Sequence, residues 1–280
     1  MDIRYNMKYR YIIMGIIILI LSQISSSQSV DPPISAGLVA DYDASKMVGY
    51  SDNDPIENMS DWSGTNNHAI QSTEAYRATY KEAIGDYSKV GFALSGAQYY
   101  DAVFNLNSPD TTVYMIGMTS TTSTGDGPMV AINTGGYCGT IWRYSSNTYH
   151  PIAAASWSIG SYIAANSWYS VVNVFDTGKS QLYVNRTRLV NAAGTPSVGE
   201  VSLFRRNDGA NEEFKGYAQQ ILIYDDAHTE TQINQTLDWL ETKWFSATTT
   251  TTTTTTTTIK SGFRIDSGGW IINSGGWIIL

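Results

Sequence analysis

Cysteine is almost absent from this chain of 280 residues, and the single copy, Cys138, excludes an intrachain disulfide framework. The domain must therefore be stabilised by its hydrophobic core, and Cys138 is expected to be a small buried residue within a strand. Histidine is nearly as scarce. Three scattered copies do not supply a zinc site or a catalytic triad, and His228, just before a helix cap, is predicted to be exposed.

Basic residues are few as well. The chain has 17 Lys and Arg against 25 Asp and Glu, which gives a net charge of −8. Because no cluster of Lys or Arg is present to neutralise a phosphate backbone, nucleic-acid binding is not expected.

The N-terminus carries a short apolar run, 11–21, after the basic residues Arg4, Lys8 and Arg10. A spanning helix needs about 20 apolar residues, so this run predicts a signal peptide over residues 1–28 and a secreted protein. An uncleaved signal anchor that holds the protein at the cell surface is the alternative.

Aromatic residues and glycine are abundant in the part that follows, with 19 Tyr, 8 Trp and 24 Gly in the whole chain. Residues 36–245 suffice for one β-sandwich. Short runs of strand-forming residues are separated by Thr, Ser, Gly and Asn clusters, which is typical of a sandwich or jelly roll. The predicted strands are 111–119, 128–133, 138–144, 151–159, 168–176, 181–190 and 201–206.

The stretch 214–244 closes this predicted domain. Residues 214–224 are apolar on both faces, which indicates an inner strand. Thr229 and Gln232 form a capping-box pattern before a helix. The apolar stripe of this helix consists of Ile233, Leu237, Leu240 and Trp244. Trp62 and Trp244 are both assigned to the core.

These segments resemble the laminin-G-like domains of the concanavalin A-like lectin/glucanase superfamily. The resemblance rests on the closing strand and helix and on four further motifs. These are 37–45 (GLVADYDAS), Trp62 with Gly64 and Ala69, 92–100 (FALSGAQYY), and 182–185 (LYVN). It implies an all-β, concanavalin A-like jelly-roll β-sandwich with one short C-terminal closing helix. The family's Asn-Gly hairpin turn is Asn185-Arg186 here. Because Arg tolerates a positive φ poorly, a longer loop or another turn type is expected.

Catalysis is not predicted. Jelly-roll glucanases place paired carboxylates along one strand in a Glu-x-Asp-x-Glu pattern, and no glutamate here is followed two positions later by aspartate. Asp41 and Asp43 share a strand face, but carboxylates at this position more often satisfy turn backbones. A divergent polysaccharide hydrolase or lyase remains an alternative.

Two loops are rich in side-chain oxygen, and the resemblance implies calcium at such loops. Asp52 and Asp54 lie in one, and Asp208 in the other. The competing interpretation is that these residues satisfy loop backbones through Asx-turns.

Three N-glycosylation sequons are present, at Asn58, Asn185 and Asn234. Asn234 is off the apolar stripe of the helix, so it is expected on the outer face.

After residue 245 the composition changes. A threonine run at 248–258 indicates a linker over 246–260. The tail, 261–280, repeats the heptad (D/N)SGGWII. It is predicted to be unstructured, with a self-associating hairpin or a membrane-touching patch as alternatives.

A sugar-binding surface is the remaining hypothesis, because saccharides stack on exposed aromatic rings. The candidate ligand-binding residues are Trp142, Tyr144, Tyr149 and Trp157. If they face the opposite sheet, they belong to the core instead.

The predicted function is a secreted, non-catalytic recognition module that binds carbohydrate or glycosylated surfaces, with calcium as an optional aid. Its partners would be glycans or extracellular glycoproteins. The alternative is a structural or adhesive protein-binding domain with no sugar site.

Overall fold

The computed structural model describes residues 31–84, 89–106, 108–120, 126–133, 137–143, 148–153, 156–157, 161–162, 164–176, 179–192, 199–205, 214–246, 270–273 and 276–279. The chain divides into two units, Met1–Ser246 and Ala247–Leu280. The strands of the first unit are β1 (Leu38–Asp43), β2 (Asn58–Met59), β3 (Ala69–Ile70), β4 (Thr79–Ile84), β5 (Lys89–Ser95), β6 (Tyr100–Leu106), β7 (Thr111–Thr119), β8 (Asp126–Asn133), β9 (Tyr137–Arg143), β10 (Thr148–Ala153), β11 (Ser156–Trp157), β12 (Ser161–Tyr162), β13 (Trp168–Asp176), β14 (Lys179–Val184), β15 (Thr187–Ala192), β16 (Gly199–Leu203) and β17 (Lys215–Tyr224). Within the described residues of this unit, the α-helix is α1 (Glu230–Phe245), and two 3₁₀ turns cover Ala44–Lys46 and Glu74–Tyr76.

The strands form two antiparallel sheets that pack as a sandwich. The first sheet has the order β15-β14-β13-β7-β17-β5-β4, and β1 also pairs with β17. The second sheet has the order β11-β10-β9-β8-β16-β6-β3-β2, and β12 pairs with β10. A core of aliphatic and aromatic side chains fills the space between them. The predicted jelly-roll sandwich with one closing helix is confirmed.

The closing strand β17 is an inner strand, as its composition predicts. It pairs with β7 along one edge, and with β5 and β1 in succession along the other. Gly216 lies where β17 passes closest to β7. Its φ is +151°, and a Cβ atom there would lie 2.0 Å from the carbonyl oxygen of Met118. Only glycine allows the backbones of β17 and β7 to approach this closely.

Helix α1 covers the outer face of the first sheet. Thr229 and Gln232 form the predicted capping box, and the buried side of the helix includes Ile233, Thr236, Leu237, Trp239, Leu240 and Trp244. Trp244 is in the core, as predicted, and its Nε1 donates to Gln220 Oε1 of β17 at 2.9 Å.

The hairpin between β14 and β15 corrects one expectation. The turn keeps two residues, Asn185 and Arg186, with φ of 46° and 65°, which is the signature of a type I′ turn. The arginine is tolerated because its guanidinium reaches α1, donating to Asp238 Oδ1 at 2.6 Å and to Glu241 Oε2 at 2.7 Å. These contacts offset the backbone strain of the left-handed conformation.

In the second unit, β18 (Trp270–Asn273) pairs with β19 (Gly276–Ile279) as an antiparallel hairpin. Eight residues of the tail are therefore paired in a hairpin, and self-association of this hairpin stays a prediction. No helix within the described ranges is long and apolar enough to cross a membrane.

Candidate functional site

The second sheet presents a row of residues at one register position across its eight main strands. Val201, Leu203 and Ala102 belong to the core, so the residues that alternate with them lie on the face away from the first sheet. In spatial order this transverse row is Asn58, Ile70, Asp101, Ser202, Ala131, Gly139, Ile152 and Trp157. Small residues occupy its centre, where Ser202 and Ala131 are buried, and the exposed Ile70 and Asp101 lie towards one end.

A second row runs beside the first on the same face. It contains Asn105, Glu200, Asn133 and Tyr137, which are paired in that order. Asn105 and Glu200 are exposed. Amide and carboxylate groups of this kind offer both donors and acceptors to hydroxyl groups.

An aromatic stack stands at one end of this face, and we call it the Tyr76 stack: Tyr76, Tyr99, Arg205 and Asp101. The rings of Tyr76 and Tyr99 are 5.3 Å apart and tilted by 36°. The guanidinium carbon of Arg205 lies 3.4 Å from the centre of the Tyr99 ring, and its Nη2 lies 3.9 Å from Asp101 Oδ1. Two backbone hydrogen bonds fix Tyr99, from its own N–H to Tyr76 and from Gln71 Nε2 to its carbonyl.

The stack keeps both apolar and polar groups accessible to solvent. Tyr76 is 41% exposed, the neighbouring Ile70 is 45% exposed, and the side chain of Asp101 is 64% exposed. An exposed aromatic ring next to a carboxylate and a guanidinium can contact the C–H face of a saturated ring, while the two charged groups bind its hydroxyl groups.

The aromatic residues predicted from the sequence fall on both faces of the second sheet. Trp142 pairs with Tyr149, and both occupy register positions on the face of the buried Val130 and Ile132. Trp157 pairs with Ile152 and is at the end of the transverse row. Tyr144 lies outside the described residues. Cys138 pairs with Ile132 at a core-facing position of β9.

The residues predicted to bind calcium have protein partners. Asp54 Oδ2 accepts from the backbone N–H of Ser51 at 2.7 Å, which closes an Asx-turn. Asp52 accepts from Asn53 and Glu82 and pairs with Lys81 at 3.7 Å. Asp208 lies outside the described residues, and no group of three potential metal ligands occurs among the described ones. A calcium site stays a prediction.

The three sequon asparagines differ in environment. Asn234 is exposed on α1, as predicted, and Asn185 is exposed in the hairpin turn. However, Asn185 Oδ1 accepts from the backbone N–H of Ser170 at 3.0 Å. Asn58 is half-buried in β2. Asn234 is therefore the sequon residue with the least structural role.

Asp41 and Asp43 are buried beneath α1 instead of lying in an open cleft. Lys243 Nζ of α1 contacts Asp43 Oδ2, and Lys46 Nζ lies 3.4 Å from Asp41 Oδ2. Gln220 joins the two halves of the cluster, because its Nε2 donates to Asp41 and its Oε1 accepts from Lys243. The cluster locks the end of the helix to β1 and β17.

Burial, together with the adjacent Asp43 carboxylate, raises the pKa of Asp41 to about 6. Burial also lowers the pKa of Lys243. Two carboxylates enclosed by two lysines and a helix are inaccessible to a large substrate, and this arrangement suits an ionic lock.

His228 corrects the expectation that it is exposed, since its exposure is 5%. Its Nδ1 lies 2.7 Å from the Tyr114 hydroxyl, and its backbone N–H donates to Thr112 Oγ1 at 2.9 Å. Burial lowers the pKa of His228 to about 4. The loop before α1 folds inward because Thr112 and Tyr114 of β7 offer these partners. The position of His228 just before a helix cap does not indicate these distant contacts.

Trp62 also corrects its assignment to the core, because it is 43% exposed. The neighbouring Asp61 points inward instead and accepts from the backbone N–H groups of Asp41, Ser63 and Asn67, each at 2.9 Å. Although burial acts to raise it, these hydrogen bonds hold the pKa of Asp61 below its ordinary value. The turn built on Asp61 directs Trp62 outward, where Lys46 Nζ lies 5.6 Å from its ring.

The Tyr76 stack was missed by the sequence argument. Its members come from residues 76, 99, 101 and 205, and no local pattern links them. One signal was available, because Tyr99 and Asp101 are two apart and so share a strand face.

A laminin-G-like family model, described as the concanavalin A-like lectin/glucanases superfamily, matches residues 86–234. That is more than half of the chain, and the protein therefore belongs to this superfamily. The predicted resemblance is confirmed. No curated protein sequence matches the chain.

Solved structures share the fold at low sequence identity. Trypanosoma rangeli sialidase in complex with sialic acid superimposes with a TM-score of 0.53 and 15% identity, over 77% of this chain and 36% of the sialidase. This chain thus spans about a third of the sialidase. Domain 4 of AbnA, a GH43 extracellular arabinanase from Geobacillus stearothermophilus in complex with arabinotriose, superimposes with a TM-score of 0.53 and 15% identity. The match covers 72% of this chain and 98% of the domain. A GH54 α-L-arabinofuranosidase superimposes with a TM-score of 0.53 and 11% identity, over 66% of this chain and 50% of the arabinofuranosidase.

Proposed function

We propose that this protein is an exported, non-catalytic module that binds carbohydrate at the exposed end of the outer face of its second sheet. The observation that carries the proposal is the Tyr76 stack, which combines an exposed tyrosine ring, a fixed guanidinium and an exposed carboxylate at one end of that face. The ring offers a stacking surface, while Arg205 and Asp101 offer donors and acceptors for sugar hydroxyl groups.

The rows on the same face extend this surface. The exposed Asn105 and Glu200 lie one register position beyond the small residues Ser202 and Ala131. A chain of sugar residues that runs from the Tyr76 stack towards Asn105 and Glu200 would meet exposed polar groups along its path. The proposal therefore favours an oligosaccharide over a single sugar.

Two further points support a binding role. The arabinanase domain that this chain matches over 98% of its length is a separate domain, and it is described in complex with arabinotriose. The buried positions of Asp41 and Asp43 remove the carboxylate pair that the sequence offered for catalysis. The basic and apolar N-terminal run supports export.

A glycan-array screen of residues 36–245 tests the proposal. Wild-type protein should bind a defined set of oligosaccharides, and Tyr76→Ala and Asp101→Ala should each lose at least tenfold in apparent affinity. Repeating the screen with calcium and with a chelator tests the predicted metal. Trp157→Ala, screened in parallel, measures how far along the row the ligand reaches.

Tyr50→Ala is the matched control, because Tyr50 forms a similar tilted pair with Tyr80, with ring centres 6.0 Å apart, away from this face. It should leave binding unchanged. Absence of binding by folded wild-type protein on a broad array would refute the proposal and leave the adhesive alternative.

A further inference from the structure

A polar cleft of about 320 Å³ lies where the end of β13, the β14–β15 hairpin and the start of α1 meet. These elements belong to the first sheet and its helix, so the cleft is separate from the outer face of the second sheet. Its volume is at the lower end of the range for small-molecule sites. The polar residues that line it are Asp176, Gln181, Tyr183, Arg188, His228 and Glu230.

His228 gives the cleft a buried polar group with spare capacity. Its Nδ1 is occupied by the Tyr114 hydroxyl, but its Nε2 is buried and has no hydrogen-bond partner among the described residues. When the Tyr114 hydroxyl donates to Nδ1, the neutral imidazole carries its proton on Nε2. A buried donor without an acceptor is unfavourable, and a ligand oxygen would satisfy it.

Two exposed charged residues complete the lining, Arg188 on β15 and Glu230 at the first position of α1. Within the described part of the chain, neither side chain has a hydrogen bond or an ion pair. Arg188 offers several donors in a plane, and Glu230 offers two acceptor oxygens. Tyr183 presents an aromatic ring beside them, and its hydroxyl donates to Gln181 Oε1 at 3.0 Å.

The charges select between ligand classes. Asp176 and Glu230 together outnumber Arg188, which leaves the lining negative, so an anionic ligand is disfavoured. The positive end of the helix does not reverse this balance, because Glu230 itself lies in the first turn and the capping box of Thr229 and Gln232 occupies two of the terminal N–H groups. A neutral ligand with several hydroxyl groups matches the mixture of donors and acceptors.

We propose that this cleft is a second ligand site, which binds one neutral monosaccharide residue. Glu230 accepts from its hydroxyl groups, Arg188 donates to them, and His228 donates to one of its oxygens. The inference does not depend on binding at the second sheet, because the two sites share no residue.

Saturation-transfer NMR on the full chain tests this site with L-arabinose, D-xylose, D-galactose, D-glucose, D-mannose, N-acetyl-D-glucosamine and N-acetylneuraminic acid. At least one neutral sugar should bind and should shift the Nε2 resonance of His228 in a long-range ¹⁵N spectrum. Arg188→Ala and Glu230→Gln should each weaken that binding at least tenfold. Tyr76→Ala should leave it intact.

Glu82→Gln is the matched control, since Glu82 is an exposed carboxylate on β4 at the opposite edge of the first sheet. It should have no effect. The proposal is overturned if no neutral sugar moves the His228 signal, if the cleft variants bind as wild type, or if N-acetylneuraminic acid binds more tightly than every neutral sugar. Sugar binding that only Tyr76→Ala removes would support the second-sheet site alone.

Discussion

The two sheets of the sandwich differ in what covers their outer faces. Every residue of β7 is buried, because the second sheet covers one face and α1 covers the other. On β6 and β16, by contrast, the exposed Asp101, Asn105 and Glu200 alternate with core residues. The first sheet uses its side chains to hold the fold together, and the second keeps these three polar side chains available to solvent.

Charged groups follow the same division. Asp41, Asp43 and Lys243 are enclosed between the first sheet and its helix, where each has a partner. Asp101 of the second sheet remains exposed, with Arg205 as a distant partner at 3.9 Å. Substitutions at the covered sheet should therefore change stability, and substitutions at the exposed residues of the second sheet should change recognition.

The largest effect is expected from Lys243→Met, which leaves the buried Asp43 without its closest cation. Breaking a buried pair on one side costs about 3–5 kcal/mol of unfolding free energy. Chemical denaturation of the variant measures it. Lys81→Met is the control, because Lys81 pairs with Asp52 at the surface, where an ion pair contributes about 0–1 kcal/mol.

The double variant Asp43→Asn/Lys243→Met sharpens this test. Since it removes both charges, it should be less destabilised than the sum of the two single variants. Equal costs for Lys243→Met and Lys81→Met would show that the covered sheet holds no ionic lock.

Next in size is a pair of opposite pH dependences. The folded-state pKa of His228 is lowered from 6.5 to about 4, so the folded protein binds fewer protons than the unfolded chain between these values, and stability falls as the pH falls. The pKa of Asp41 is raised from 3.8 to about 6, so stability rises as the pH falls through that window. In the wild type the two largely cancel.

Single variants separate these contributions. As the pH falls from 6 to 4, the unfolding free energy of Asp41→Asn should decrease, because only the His228 contribution remains. That of His228→Gln should increase, because only the Asp41 contribution remains. Each slope should be at most about 1.4 kcal/mol per pH unit. Denaturation curves at several pH values measure both slopes. Identical pH profiles for the two variants would contradict the assignment.

A smaller effect is expected at the hairpin turn that contacts α1. Arg186→Ala removes two partly exposed ion pairs and keeps a side chain in the left-handed region, so it should cost about 1 kcal/mol. Arg186→Gly loses the same pairs but relieves the strain, and its stability should stay within about 0.5 kcal/mol of wild type. Both variants keep the sequon at Asn185. Thermal unfolding compares them, and a glycine variant as unstable as the alanine variant would rule out strain at this turn.

Local sequence patterns predicted the covered sheet well. The predicted strands 111–119 and 168–176 coincide with β7 and β13, and the capping box places the start of α1. These elements depend on apolar runs and on hydrogen bonds between near neighbours, which a sequence displays directly. The predicted strand 181–190 is divided by the hairpin turn at Asn185-Arg186 into β14 and β15. The two-residue form of this turn was not predicted, because the contacts that stabilise it come from α1, more than 50 residues away.

The candidate site was less predictable for the same reason. Tyr76, Tyr99 and Arg205 meet only when three separate segments come together at the edge of the second sheet. His228 and Trp62 were misplaced because their exposure depends on β7 and on the turn built on Asp61, respectively. A short-range pattern reports the face of a strand, but it does not report which element covers that face.

The smallest effect on stability is expected where the effect on recognition is greatest. Tyr76→Ala removes one ring of a tilted pair, and because this ring is 41% exposed, the cost should be about 0.5 kcal/mol. Tyr76→Phe should cost less and should retain most of the glycan binding, since the stacking surface is kept. Thermal unfolding and the glycan array, run on the same preparations, give both quantities. If the alanine variant loses binding only in proportion to lost folded protein, then Tyr76 supports the fold and takes no part in recognition, and the contrast between the two sheets fails at the residue on which it most depends.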